Sequence, residues 1–156
     1  MKIKGSQIAP PTSEKVYIAR GDDVMVFEAA PVLSFEDFEK LYPEVEPPTA
    51  HYPDGRQVPD FTDERYLKAL EARGEARINY MFLKSLEATP GLEWETVDLA
   101  NPETYGNFRD ELEASGLAPI ERQQLLQAVI TANGLDESRM EKARESFLAL
   151  SQAQQK

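Results

Sequence analysis

Cysteine is absent from the 156 residues, and with it go disulfides, thiolate metal sites and cysteine nucleophiles. That absence also fits a reducing compartment. Histidine and tryptophan each occur once. A zinc site would therefore have to rest on carboxylates, and no spacing of Asp or Glu offers a ligand set. No apolar run is long enough to cross a bilayer. Gly74, Gly91 and Gly106 stand alone, so no glycine-rich phosphate cradle is present. The opening residues Met1 to Gly5 have a basic flavour, but the apolar core of a secretory signal does not follow. The expectation is a chain that stays in the cytoplasm where it is made, without cofactor or metal.

Basic residues are the other shortage. Lys and Arg number 17 against 28 Asp and Glu, a net charge of −11. Residues 1–60 carry 6 basic and 11 acidic side chains and residues 61–156 carry 11 and 17, giving −5 and −6, so the acidity is spread evenly. Without a basic patch, ordinary nucleic-acid binding is disfavoured. A chaperone for a basic or sticky partner, or a mimic of DNA, tolerates such a charge. The simplest use of it is to keep the chain dispersed.

Two textures follow one another. Residues 1–60 hold most of the prolines and the strand-like runs, and residues 61–156 read as helix after helix. Residues 15–20 and 24–29 are β-branched and aromatic on either side of Gly21 and Asp22, the pattern of a β-hairpin. Ser34 caps a short helix over 35–41, with Glu36 and Asp37 in the favoured first turn. Prolines at 43, 47, 48, 53 and 59 make an extended connector, with a tight turn at 52–55.

Thr62 opens the longest helix. Leu67, Leu70, Gly74, Ile78, Met81, Phe82 and Leu86 follow its period and form the expected core face. Gly74 costs roughly 1 kcal/mol relative to alanine there, which makes a close helix contact plausible. Thr89, Pro90 and Gly91 end that helix. Asn101 and Pro102 start another with Tyr105, Phe108 and Leu112 as its stripe, ended by Gly116. Pro119 begins the next, ended by Asn133 and Gly134. Asp136, flanked by Leu135 and Met140, caps the last, whose apolar side is Met140, Ala143, Phe147 and Leu150. Fraying is expected after Ser151. The expected fold is mainly α, an antiparallel helical bundle over 61–156 with a small N-terminal β-hairpin arm over 1–60.

Catalysis needs a constellation, and the single His51 lies in the proline-rich connector, where a surface role is the simpler reading. Acidic pairs such as Glu93 with Glu95 and Asp110 with Glu111 fall on helix faces and caps, where solvation accounts for them. The chain is expected to bind rather than catalyse. On the long helix Tyr80 and Leu83 project away from the expected core face. They belong either to a spine sandwiched between two layers or to an exposed partner-binding patch. Trp94, with Leu92 on one side of an alternating segment, is either a core anchor or a binding hot spot. Tyr80, Leu83, Trp94 and Tyr105 are the candidate partner-binding residues.

Residues 77–150 resemble the tail assembly chaperones of long-tailed bacteriophages. The features that carry this are 86–89 leading into Leu92, Glu93 and Trp94, then Asn101 to Tyr105, the helix over 108–116, and the junction Asn133 to Glu137. The resemblance covers about the second half of the chain and is a pattern of helices and junctions. It implies a non-enzymatic chaperone in the host cytoplasm that coats the hydrophobic tape-measure protein and helps recruit tail tube subunits. It also implies a longer form made by ribosomal frameshifting, for which Gln154, Gln155 and Lys156 suit an A-rich slippery codon tract. The alternatives are a structural tail or connector component of the virion, using the hairpin to extend a neighbour's sheet, and an acidic DNA-mimic inhibitor.

Overall fold

Gly21, with φ of 60°, lets the chain reverse in a tight turn that sets the register of the main hairpin. Strand β3 (Glu14–Arg20) pairs antiparallel with β4 (Asp23–Ala29), Val16 opposite Phe27 and Ile18 opposite Met25. The computed structural model describes residues 2–3 and 5–153, with side-chain surroundings up to residue 146. Two further antiparallel pairs are short: β1 (Lys2–Ile3) with β2 (Ser6–Gln7), and β5 (Thr49–His51) with β6 (Gln57–Pro59). The second closes around the expected 52–55 turn, where the Gly55 N–H donates to the Tyr52 carbonyl at 3.0 Å.

The helices are α1 (Glu36–Leu41), α2 (Glu64–Leu86), α3 (Phe108–Ala114), α4 (Pro119–Ala132) and α5 (Glu137–Ala153), with a 3-10 helix over Pro102–Asn107 before α3. Asp63, not Thr62, caps α2: its carboxylate accepts the Tyr66 N–H at 2.9 Å and its carbonyl the Leu67 N–H. Thr62 is held by Asp60 instead. The Asn101 side chain caps the 3-10 helix through the Glu103 N–H, and Asp136 caps α5 through the N–H groups of Ser138 and Arg139. Helix α5 continues through Ala153; the side chains of Phe147 and Leu150 and the tail 154–156, with its implied slippery site, lie outside the described residues.

The expected mainly α antiparallel bundle is not what forms. The described residues form five α-helices, one 3-10 helix and three two-stranded sheets. A bundle needs a lengthwise seam of apolar residues shared by neighbouring helices. Here α4 packs against β3 and β4 instead, so the hairpin is a layer over a helix and not an arm.

The chain divides into two compact units that interleave in sequence, cutting across the change of texture near residue 60. The first consists of the described residues of 1–32, 85–92 and 118–156. Its core is Ile18 and Ala29 of the hairpin with Leu86, Leu125, Val129 and Ala132, all 1% exposed or less. Hydrogen bonds of the buried Ser85 and Thr89 and the half-buried Asn133 tie its three segments together. The Ala30 N–H donates to the Ser85 carbonyl at 2.9 Å, and the Ser85 hydroxyl donates back to the Ala30 carbonyl. Thr89 Oγ1 accepts the Glu28 N–H, and Asn133 Oδ1 accepts the Val32 N–H at 2.8 Å.

The second unit consists of residues 33–84 and 93–117. An aromatic cluster centres on Tyr80, whose ring lies 6.0 Å from Phe35, 5.5 Å from Phe38 and 5.9 Å from Tyr105. Phe82 stacks on Phe108 at 5.8 Å, and Trp94 meets Phe108 edge-on at 6.2 Å. The Tyr105 hydroxyl donates to the Leu99 carbonyl at 2.6 Å.

Candidate partner-binding surface

Over its first four turns helix α2 turns the expected core face toward solvent, whereas Phe82 and Leu86 of that same expected face are buried and Met81 is half-buried. The buried face within the second unit is Ala76, Asn79, Tyr80 and Leu83, continued toward the N-terminus by the half-buried Tyr66, Ala69 and Arg73. The other face bears Leu67, Leu70 and Ile78, which are 48%, 40% and 52% exposed. Gly74 lies on that exposed line, and a Cβ added there would meet nothing within 4 Å. At about 100° per residue, Leu67, Leu70, Gly74, Ile78 and the half-buried Met81 fall within roughly 80° of arc, one continuous stripe.

Of the four residues expected to bind a partner, Tyr80, Leu83 and Tyr105 are buried, at 3%, 1% and 0% exposure, and Trp94 is half-buried. The structure brings Tyr80 and Tyr105 together, as core. The exposed residues that sequence reasoning assigned to the core are Leu67, Leu70 and Ile78. Their mistaken placement has a physical source. The buried face carries Arg73 and Asn79, which look like surface residues until their partners are seen. Arg73 Nε donates to the Tyr42 and Pro43 carbonyls at 3.0 Å, and its guanidinium pairs with Glu39 and lies 5.4 Å from the centre of the Phe38 ring. Asn79 Oδ1 accepts from Arg109 Nη2 at 3.0 Å. The exposed face is the more apolar of the two in sequence.

One flank of the stripe is predominantly acidic, three carboxylates with the single cation Lys68 among them. Glu64, Glu71 and Glu75 recur beside it at a helical spacing, all exposed. Glu64 and Glu71 make no ion pair among the described residues, and Glu75 is approached by Arg109 Nη1 only at 3.5 Å. On the opposite flank Arg77 is already engaged, 3.6 Å from Glu39 and stacked 3.9 Å over the Phe35 ring.

The first unit also exposes apolar side chains on a regular element. Tyr17, Val24 and Val26 share the outer face of the hairpin at 66%, 62% and 40% exposure, while Ile18 on the inner face is buried. Each strand of this two-stranded sheet pairs with the other alone, so both outer edges are unpaired by strands among the described residues. A shallow hollow of about 370 Å³ between β3 and α4 is lined by Glu14, Tyr17, Gln124, Thr131 and Arg139.

The strongly perturbed ionisable groups serve the fold. Arg20 grips Glu121 with both nitrogens, at 2.6 and 2.5 Å, and this hydrogen bonding together with the Ala118 N–H holds the Glu121 carboxyl down at about 2. Burial pushes the Tyr105 phenol up to about 12, helped by Tyr80 and Asp98. Burial also raises the Glu111 carboxyl, but the Thr96 hydroxyl and the N–H groups of Glu95 and Thr96 outweigh it and leave it below the usual range. Glu111 with Glu93 and Glu95 lines an acidic hollow of about 300 Å³, and its carboxylate is spent on pinning that loop. His51 is exposed on β5. Among the described residues no group of three or more His, Asp or Glu is placed to hold a metal ion, and no helix is long and apolar enough to cross a membrane.

Comparison with protein-family models, with curated proteins and with solved structures returns no match.

Proposed function

We propose that this chain is a non-enzymatic tail assembly chaperone of a long-tailed bacteriophage, acting in the host cytoplasm by binding the tape-measure protein and tail tube subunits. One observation carries the reading beyond the resemblance of residues 77–150. Regular elements of a chain with net charge −11 hold apolar side chains out in solvent, on α2 and on the outer face of the β3–β4 hairpin. Apolar stripes of this kind are suited to cover hydrophobic helices of a client, and the surplus carboxylates keep the resulting complex dispersed. Co-expression with the tape-measure protein of the same phage tests it. The expected result is a soluble complex that co-purifies, with more tape-measure protein in the soluble fraction than when it is expressed alone. Absence of association with every tail protein overturns the proposal.

The unpaired edges of the β3–β4 sheet favour a second reading, a structural component of the tail or connector that extends a neighbour's sheet. Mass spectrometry of finished particles separates the two: a structural component is present at fixed stoichiometry, a chaperone is absent.

A further inference from the structure

Resting on the reading that the chain works by binding a protein, we propose that the α2 stripe of Leu67, Leu70, Gly74 and Ile78 docks one basic amphipathic helix of the partner, crossing α2 near Gly74. Three observations converge on it. The stripe is apolar, continuous and open to solvent, with Leu67, Leu70 and Ile78 each 40% exposed or more. Its spacing of three, four and four residues is that of a helix-to-helix seam, about 16 Å long at 1.5 Å per residue.

Gly74 is the second observation. Its backbone is ordinary helix, so no left-handed conformation requires glycine. No atom within 4 Å would be met by a Cβ, so no packing inside the chain requires it either. A residue that weakens the helix, with no use within the chain, is accounted for by a neighbour that approaches from outside. Removing the side chain at the middle of a seam lets two helix backbones come close.

Charge selects the occupant. The rim offers Glu64, Glu71 and Glu75 against a single Lys68, a net negative flank, while across the stripe Arg77 is engaged by Glu39 and Phe35. A second copy of this chain would bring the same carboxylates to the seam, and like charges there oppose pairing. A helix with Lys or Arg beside its own apolar stripe meets both the stripe and the rim.

The probe is a fluorescent synthetic helix of about three heptads with Leu at the seam positions and Lys beside them, titrated into the full chain and read by anisotropy. Leu70→Asp and Ile78→Asp are each expected to weaken binding about tenfold or more. The triple variant Glu64→Gln, Glu71→Gln, Glu75→Gln is expected to weaken it several-fold and to flatten its salt dependence. The same number of charges removed from α5, at Glu137, Glu141 and Glu145, is expected to change binding less than about twofold. Gly74→Leu gives the sharpest contrast, a thermal midpoint that is unchanged or higher together with binding about tenfold weaker.

Equal losses from the two charge triples, or indifference to Ile78→Asp, overturn the proposal. So does a dimer in sedimentation that Ile78→Asp dissociates, which would make a second copy the occupant. The same variants in the tape-measure co-expression keep the two ideas apart. A complex that survives both Ile78→Asp and Gly74→Leu refutes this surface and leaves the chaperone reading standing. Peptide binding with this mutational pattern, but no tail complex, refutes the chaperone reading and leaves the surface.

Discussion

Tyr105 places a phenol in the core of the second unit and satisfies it with a single carbonyl, that of Leu99. Tyr105→Phe leaves that carbonyl without its donor and is expected to cost about 1 kcal/mol in urea unfolding. Because the folded phenol titrates near 12 against an ordinary 10.0, its contribution is complete below pH 10 and is lost as pH rises through 12. Absorbance titration at alkaline pH should show one tyrosine that ionises late, and that step should vanish in Tyr105→Phe. Glu121 behaves in the opposite sense. Its carboxyl is held at about 2 against an ordinary 4.5, so the stabilisation from its pairing with Arg20 is present above 4.5 and lost as pH falls toward 2. The thermal midpoint of Glu121→Gln is expected to fall less steeply than that of the parent chain between pH 4.5 and 2. Arg20 is 41% exposed, so added salt should narrow the difference.

Helix α2 shows how much of an element can be read from sequence and where the reading stops. Its existence, its end at Thr89, Pro90 and Gly91, and the hairpin turned by Gly21 follow from local chemistry, because caps and turns are decided by residues a few positions apart. The orientation of α2 does not, because it is decided by partners far away in the chain. Arg73 is half-buried because the Tyr42 and Pro43 carbonyls receive it, and Asn79 is buried because Arg109 does. A periodicity count scores both as solvent-facing and points the first four turns of the helix the wrong way, while Phe82 and Leu86 near its end are buried as expected. For the same reason Tyr80 and Leu83 looked surplus to the core although they form it. The two faces are separable by truncation. Leu83→Ala is expected to cost about 2–5 kcal/mol of unfolding free energy, whereas Leu70→Ala should stay within about 0.5 kcal/mol, both measured by denaturant titration. A result with these magnitudes exchanged would restore the orientation expected from sequence.

At the scale of the molecule, the bundle expectation failed because helical texture was taken for helix-on-helix packing, whereas α4 uses its apolar face on β3 and β4. The first unit also depends on polar cross-links that no pattern reveals. Asn133 accepts from the Val32 N–H and donates to the Val129 carbonyl at 2.8 Å and to Ser85 Oγ at 3.3 Å. Asn133→Ala is expected to cost about 1–3 kcal/mol, since the half-buried Val32 N–H and the buried Ser85 hydroxyl lose a partner at once; chemical denaturation measures it. The pairing of Arg20 with Glu121 spans 101 positions, so the helix that covers the hairpin is made well after the hairpin itself. At about 5–20 residues per second, the newborn hairpin waits roughly 5–20 s on the ribosome for its cover. During that interval the inner residues Ile18 and Phe27 are as bare as Tyr17 and Val26, so translation speed and nascent-chain helpers should govern the yield of this protein more than its final stability does.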